Sequence, residues 1–161
     1  MEKDYNQEVE RLLEAPFWVI DMLPQQVPQE SQGQFFAVEK FYLRELRCET
    51  FRNLVPDARL RCQFADVLLK LNCYYGFVVN RASNDTWIRN PEPTKLYSWV
   101  IQSLEYGHLC VLIEEEDALI TASSGNSCLT LYNPSERLLK LVGQLATAAG
   151  VFLWQPPRDT N

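Results

Sequence analysis

Histidine is almost missing from this sequence: His108 is the one such residue in 161. A lone imidazole excludes HExxH metal sites, multi-histidine ligand sets and paired-histidine phosphotransfer within one chain. Glycine is nearly as scarce. The six glycines stand at 33, 76, 107, 125, 143 and 150, never closer than seven positions. Dinucleotide-binding GxGxxG, the Walker phosphate loop and the GxSxG elbow all need closer glycines, so none is present. No apolar run approaches the roughly 20 residues of a membrane-spanning helix. No CxxC pair occurs among the five cysteines, Cys48, Cys62, Cys73, Cys110 and Cys128. The odd count argues against a disulfide framework, and the wide spacing against structural zinc. Buried free thiols are the expectation.

What is present is the make-up of an ordinary globular chain, 47% apolar and 22% charged. The length suits one domain over 1–161, with a helical half (1–73) and a sheet-rich half (74–155). The polar, acidic opening Met1-Glu2-Lys3-Asp4 lacks the pattern of a secretory signal, so the cytosol is the expected compartment. Net charge is −6. That balance repels a phosphate backbone, and the mixed-sign segment 40–70 reads as solvated helix faces, so no nucleic-acid partner is expected. No membrane partner and no cofactor are expected either.

The most legible stretch is Cys128–Trp154. Asn133 reads as an N-cap, Pro134 as the first helical position and Glu136 as the returning arm of a capping box. Leu138, Leu141, Val142, Leu145 and Ala149 form one helical stripe, and Gly150 closes it. Val151–Trp154 then reads as a short strand. The same punctuation occurs at Asn90-Pro91 and Gly107, with strand-like Thr86–Arg89 before it and Leu109–Ile113 after it. The sequence therefore predicts two strand–helix–strand units of related layout, with chance coincidence of two well-capped helices as the alternative.

The remaining elements follow from spacing and breakers. Asp4–Ala15 predicts a short helix with Val9, Leu12 and Leu13 inward, stopped by Pro16. Phe17–Ile20 predicts a buried strand. Leu23–Gln34, rich in Gln and Pro, predicts a long loop. Phe35–Leu54 reads as a helix broken at Pro56-Asp57, although its paired aromatics also suit strands. Ala58–Cys73 predicts a second helix with Leu60, Phe64, Val67, Leu68 and Leu71 buried. Tyr74–Val79 predicts a strand, and Asn80–Asp85 a turn. Leu109–Glu115, Ala118–Ala122 and Cys128–Tyr132 predict an antiparallel run linked by short turns. The fold class is α+β: a mostly antiparallel sheet of about five to six strands, with helices packed on one face. The double strand–helix–strand order hints at a ferredoxin-like arrangement.

At Leu129–Pro134 and Gly150–Pro156 the chain resembles small uncharacterised proteins of Gram-positive gut bacteria, and Phe17–Asp21 fits the same likeness. This resemblance implies no activity, cofactor or catalytic residue.

Candidate chemistry is sparse. His108, just after helix-ending Gly107, is a general base, a pH-sensitive contact or a solvent-facing helix-end residue. Asp21 or Glu105 would orient it in a small enzyme that uses the imidazole or a cysteine. The acidic run Glu114–Asp117 offers oxygens to a cation or forms a solvated turn. Ser123–Ser127 is a small anion nest or a plain hairpin turn. Trp99 and Trp154 read as packing. Trp18 and Trp87 lie at strand ends, near Asp21 and Arg89 respectively, and so mark a contact surface or pocket, or else more core. Three functions follow: a non-enzymatic cytosolic module that binds a protein partner or its own copy, a small His108- or cysteine-dependent enzyme, and a small-ligand binder with an aromatic pocket.

Overall fold

The computed structural model describes residues 3–43, 59–81 and 86–157. Along them run α1 (Tyr5–Leu13), β1 (Phe17–Asp21), α2 (Gln32–Leu43), α3 (Arg59–Leu71), β2 (Val78–Arg81), β3 (Trp87–Arg89), α4 (Pro93–Glu105), β4 (His108–Ile113), β5 (Ala118–Ser123), β6 (Cys128–Tyr132), α5 (Glu136–Ala149) and β7 (Phe152–Trp154). The strands form a seven-stranded sheet in the order β3-β2-β4-β5-β6-β1-β7, and every neighbouring pair is antiparallel. The fold is α+β, with one or two more strands than the sequence reading allowed.

The register divides the side chains into two faces, because successive strand residues point oppositely. Ile20, Val79, Leu109, Val111, Ile113, Ile120, Ala122, Leu129 and Leu131 share the face that carries the main core. The helices α3, α4 and α5 cover it, with α3 packed against both of the others. The predicted stripe of α3 is buried throughout: Leu60, Phe64, Val67, Leu68 and Leu71. The opposite face is not bare. Leu12 of α1 joins Val78, Leu112 and Leu119 there in a second, smaller core. Hence the three longer described helices share one face, while α1 sits across the sheet from them. Alternation shows that a strand has two faces; it does not show which short helix reaches the second one.

The two predicted units are present, and each is split by an earlier strand. β3 and β4 flank β2, and β6 and β7 flank β1, so each strand–helix–strand unit encloses a strand from upstream. The likeness extends to single atoms. The Asn90 amide donates to the Phe77 carbonyl at 2.8 Å, and the Asn133 amide to the Pro16 carbonyl, also at 2.8 Å. Phe77 and Pro16 are the residues just before the enclosed strands. Both asparagines are left-handed, with φ of 43° and 55°, and both closing glycines are too, at 89° and 81°.

That geometry corrects the cap assignment. Asn133 has left the strand in the αL region, and its Nδ2 donates to the Asp117 carbonyl at 2.8 Å. Ser135 is the actual N-cap of α5, its Oγ accepting from the Leu138 amide at 3.1 Å. Glu92 holds the corresponding place before α4, with Pro93 in the first turn. Gly150 ends α5 as expected, followed by the Val151 amide donating back to Ala146.

Other boundaries move. The expected loop Leu23–Gln34 is shortened by a 3-10 turn at Gln29–Ser31 and by α2, which begins at Gln32. The helix read as Phe35–Leu54 is described to Leu43; its remainder and Pro56-Asp57 lie outside the described residues. The strand expected at Tyr74–Val79 runs instead from Val78 to Arg81, so Asn80 and Arg81 are strand rather than turn. Cys73 is exposed, whereas Cys62, Cys110 and Cys128 are half-buried, and all four are free thiols.

Candidate functional site

Asp21 ends β1 and His108 begins β4, both on the face away from the three-helix layer. Two strands, β5 and β6, lie between them. At about 4.8 Å per strand the two side chains stand roughly 14 Å apart, too far for an acid–imidazole dyad. Glu105 closes α4 three residues before His108. Asp21 sits across from Cys128 in the register, so an acid and a thiol do meet. Their electrostatics suit no nucleophile. Burial, then Asp21, then Glu39 of α2 push the Cys128 thiol up to about 12, the reverse of the depression an activated cysteine requires. Burial also pushes Asp21 up; backbone donors, among them Leu23 N at 3.2 Å, oppose that only in part. Among the described residues no three His, Cys, Asp or Glu side chains gather to hold a metal ion.

The aromatic candidates separate as well. Trp18 is half-buried on the three-helix face, level with Leu131 of β6. Trp87 is separated from Trp18 by four strands in the order of the sheet and lies on the other face. Its ring packs against Tyr5 of α1, with centroids 5.3 Å apart, inside the second core. Arg89, two residues on, pairs with Glu114 at 2.7 Å and donates to the Tyr5 hydroxyl at 2.9 Å. Trp87 and Arg89 thus come together to seat α1, and Trp18 is not part of that group.

The acidic run is neither a cation loop nor a bare turn. Glu114–Glu116 form one 3-10 turn and Asp117 is left-handed, at φ 50°. Each acid reaches a different element. Glu114 accepts from Lys3 at 3.1 Å and pairs with Arg89 of β3. Glu115 accepts from the Gly76 amide at 3.2 Å, ahead of β2. Glu116 accepts from Ser135 Oγ at 2.6 Å and from Arg137 Nε at 3.0 Å, at the start of α5. Asp117 pairs with Arg11 of α1. The turn therefore ties both helical faces to the β4–β5 hairpin. Burial works to raise Glu114 and Glu116. Donors outweigh it, Arg89 and Lys3 for the first, Ser135 and Arg137 for the second, and hold both carboxyls below their ordinary range.

The structure marks one surface that the sequence candidates did not include. On α2, Phe36, Val38, Phe41 and Tyr42 are 51%, 36%, 46% and 42% exposed. Glu39 turns inward and accepts from the buried Ser127 at 2.6 Å, so α2 is fastened to the β5–β6 turn. Apolar side chains occur around most of its circumference, and docking one side leaves the rest in water. The pairs Phe35-Phe36 and Phe41-Tyr42 carry that signal in the sequence, where they suit helix and strand alike. Concavities lie elsewhere. One of about 430 Å³ is lined by Tyr74, Tyr75, Arg137 and Lys140, and one of about 680 Å³ by Pro24, Leu139, Gly143 and Leu153. None of His108, Asp21, Trp18, Trp87 and Arg89 lines either of them.

Comparison with known proteins finds no matching family model, no matching curated protein and no matching solved structure.

Proposed function

We propose that this chain is a non-enzymatic cytosolic interaction module that binds a protein, either a partner or a second copy, through the apolar surface of α2. One observation carries the reading: four large apolar side chains of a single anchored helix stand in water, whereas the other exposed large apolar side chains, such as Phe17, Ile88 and Phe152, fall one to an element or a turn. Burying one such side chain contributes about 1.5–3 kcal/mol, so leaving four exposed is costly unless a partner covers them. The site chemistry supports the same reading. The thiol next to an acid is held protonated, and the lone imidazole is strands away from Asp21.

The test is a comparison of the full-length chain with Phe36→Asp/Phe41→Asp and, as control, with Tyr106→Asp, since Tyr106 is 62% exposed outside α2. Wild type and control elute as a dimer, or recover one stoichiometric protein partner from cell extract; the double variant does neither while unfolding at the wild-type temperature. A monomeric wild type with no partner, or capture that survives the double substitution, refutes the assignment.

A further inference from the structure

The apolar residues fall into two cores on opposite faces of one sheet, and only the smaller depends on α1. We propose that α1 is a salt-releasable cover: it opens as a unit from the outer sheet face while β1 and the main core stay folded. Three features carry this. First, its apolar hold is thin. Leu12 is the one fully buried side chain of α1, with Tyr5 and Val9 packed beside it at half burial. Second, the rest of the described hold is ionic or polar and lies at the surface. Lys3 reaches Glu114 at 3.1 Å, Arg11 Nη1 reaches Asp117 at 3.2 Å, and Arg89 reaches the Tyr5 hydroxyl at 2.9 Å. Lys3, Arg11 and Arg89 have side chains 47%, 52% and 58% exposed, so dissolved ions compete with each pair.

Third, the chain after α1 permits it. Only Glu14, Ala15 and Pro16 separate α1 from β1, and β1 is held independently, between β6 and β7. The Pro16 carbonyl accepts from the Asn133 amide, which pins the start of β1 whether or not the helix is docked. Opening exposes Val78, Leu112, Leu119 and the Trp87 ring. It leaves the three-helix layer on the other face untouched. Segments with few buried contacts and surface bonds open at lower free energy than the global transition, and α1 meets both conditions.

Hydrogen-exchange mass spectrometry on the full chain at 50 and 500 mM NaCl tests this. Residues 5–13 exchange faster than 109–113 and 118–123 at both salts. Raising the salt speeds them by about fivefold, as expected for loss of a few exposed ion pairs, without moving the β4 and β5 amides. Arg11→Gln speeds α1 exchange at low salt and weakens the salt response. Leu12→Ala speeds it at both salts and leaves the response intact. Exchange of α1 only in step with β4 and β5, or a salt effect equal across all peptides, overturns the proposal.

Discussion

Glu116 gives the sharpest test of how this fold is held. Its side chain is 6% exposed, and it accepts from Ser135 Oγ at 2.6 Å and Arg137 Nε at 3.0 Å. The Tyr75 ring lies 5.7 Å from the Arg137 guanidinium, which packs over it. A hydrogen bond to a charged group contributes about 1.5–3 kcal/mol. The Ser135 bond earns that range because it is enclosed; the Arg137 pair is discounted to about 0.5 kcal/mol because the arginine side chain is 74% exposed. Glu116→Ala therefore costs about 2–3.5 kcal/mol, and Glu116→Gln, which keeps the shape and a carbonyl acceptor, about 1 kcal/mol. For a chain of this size that is a fall of roughly 5–10 °C in Tm for the alanine variant. The pH dependence has a fixed sign. The folded carboxyl lies below its ordinary value of 4.5, so its contribution is complete above that value and is lost as pH falls through the folded one. The gap in denaturation midpoint between wild type and Glu116→Gln should be constant from pH 8 to 6 and shrink below 4.5. A Glu116→Ala protein that melts within 1 °C of wild type (roughly the noise of a thermal melt), or a gap that widens in acid, would refute the account of the turn.

Two further outcomes follow from backbone and burial. Gly150→Ala should cost about 1–2 kcal/mol in urea unfolding, because Gly150 is at φ 81° and an added Cβ would meet Gln63 Nε2 at 2.9 Å; a neutral result removes the αL cap from the account. With a thiol-specific reagent at pH 8, native protein should be labelled at exposed Cys73 and not at Cys128, whose thiol is pushed up to about 12. Peptide mapping distinguishes them, and rapid native labelling of Cys128 would contradict its place beside Asp21 and Glu39.

Local signals were read well where one physical cause dominates. The α3 stripe needed only helical spacing, and Gly107 and Gly150 needed only a backbone without Cβ; both glycines are left-handed. Asn133 was misread because an Asn-Pro step satisfies two rules at once. Asparagine caps helices, and it also tolerates αL better than most residues; the deciding contact is its Nδ2 on the Asp117 carbonyl, 16 positions away. The same limit hid the acidic turn. Spacing showed four consecutive acids. It did not show that Asp117 meets Arg11, 106 positions upstream. Trp87 and Arg89 were singled out as a pair, and the structure does join them, but on Tyr5 of α1 rather than around a pocket. No pattern within β3 specifies that helix.

The two split units commit much of the described chain to the sheet and its cores. Each unit needs a strand enclosed between its own two, so β1 and β2 are committed to the sheet and their apolar residues face its two cores. The β4–β5 turn joins the units, and its four acids are committed to holding helices and strand ends. These acids hold the fold from their positions: Asp117 orients Asn133, and Glu116 bonds the α5 cap. α2 stands outside this scheme. It belongs to neither unit, is fastened by Glu39 on Ser127, and turns Phe36, Phe41 and Tyr42 to water. A segment can carry such side chains without unfolding the body only if the body does not depend on them, and the main core, built from α3, α4 and α5 against the sheet, contains none of Phe36, Val38, Phe41 and Tyr42. That independence is what allows Phe36→Asp/Phe41→Asp to report on binding rather than on folding.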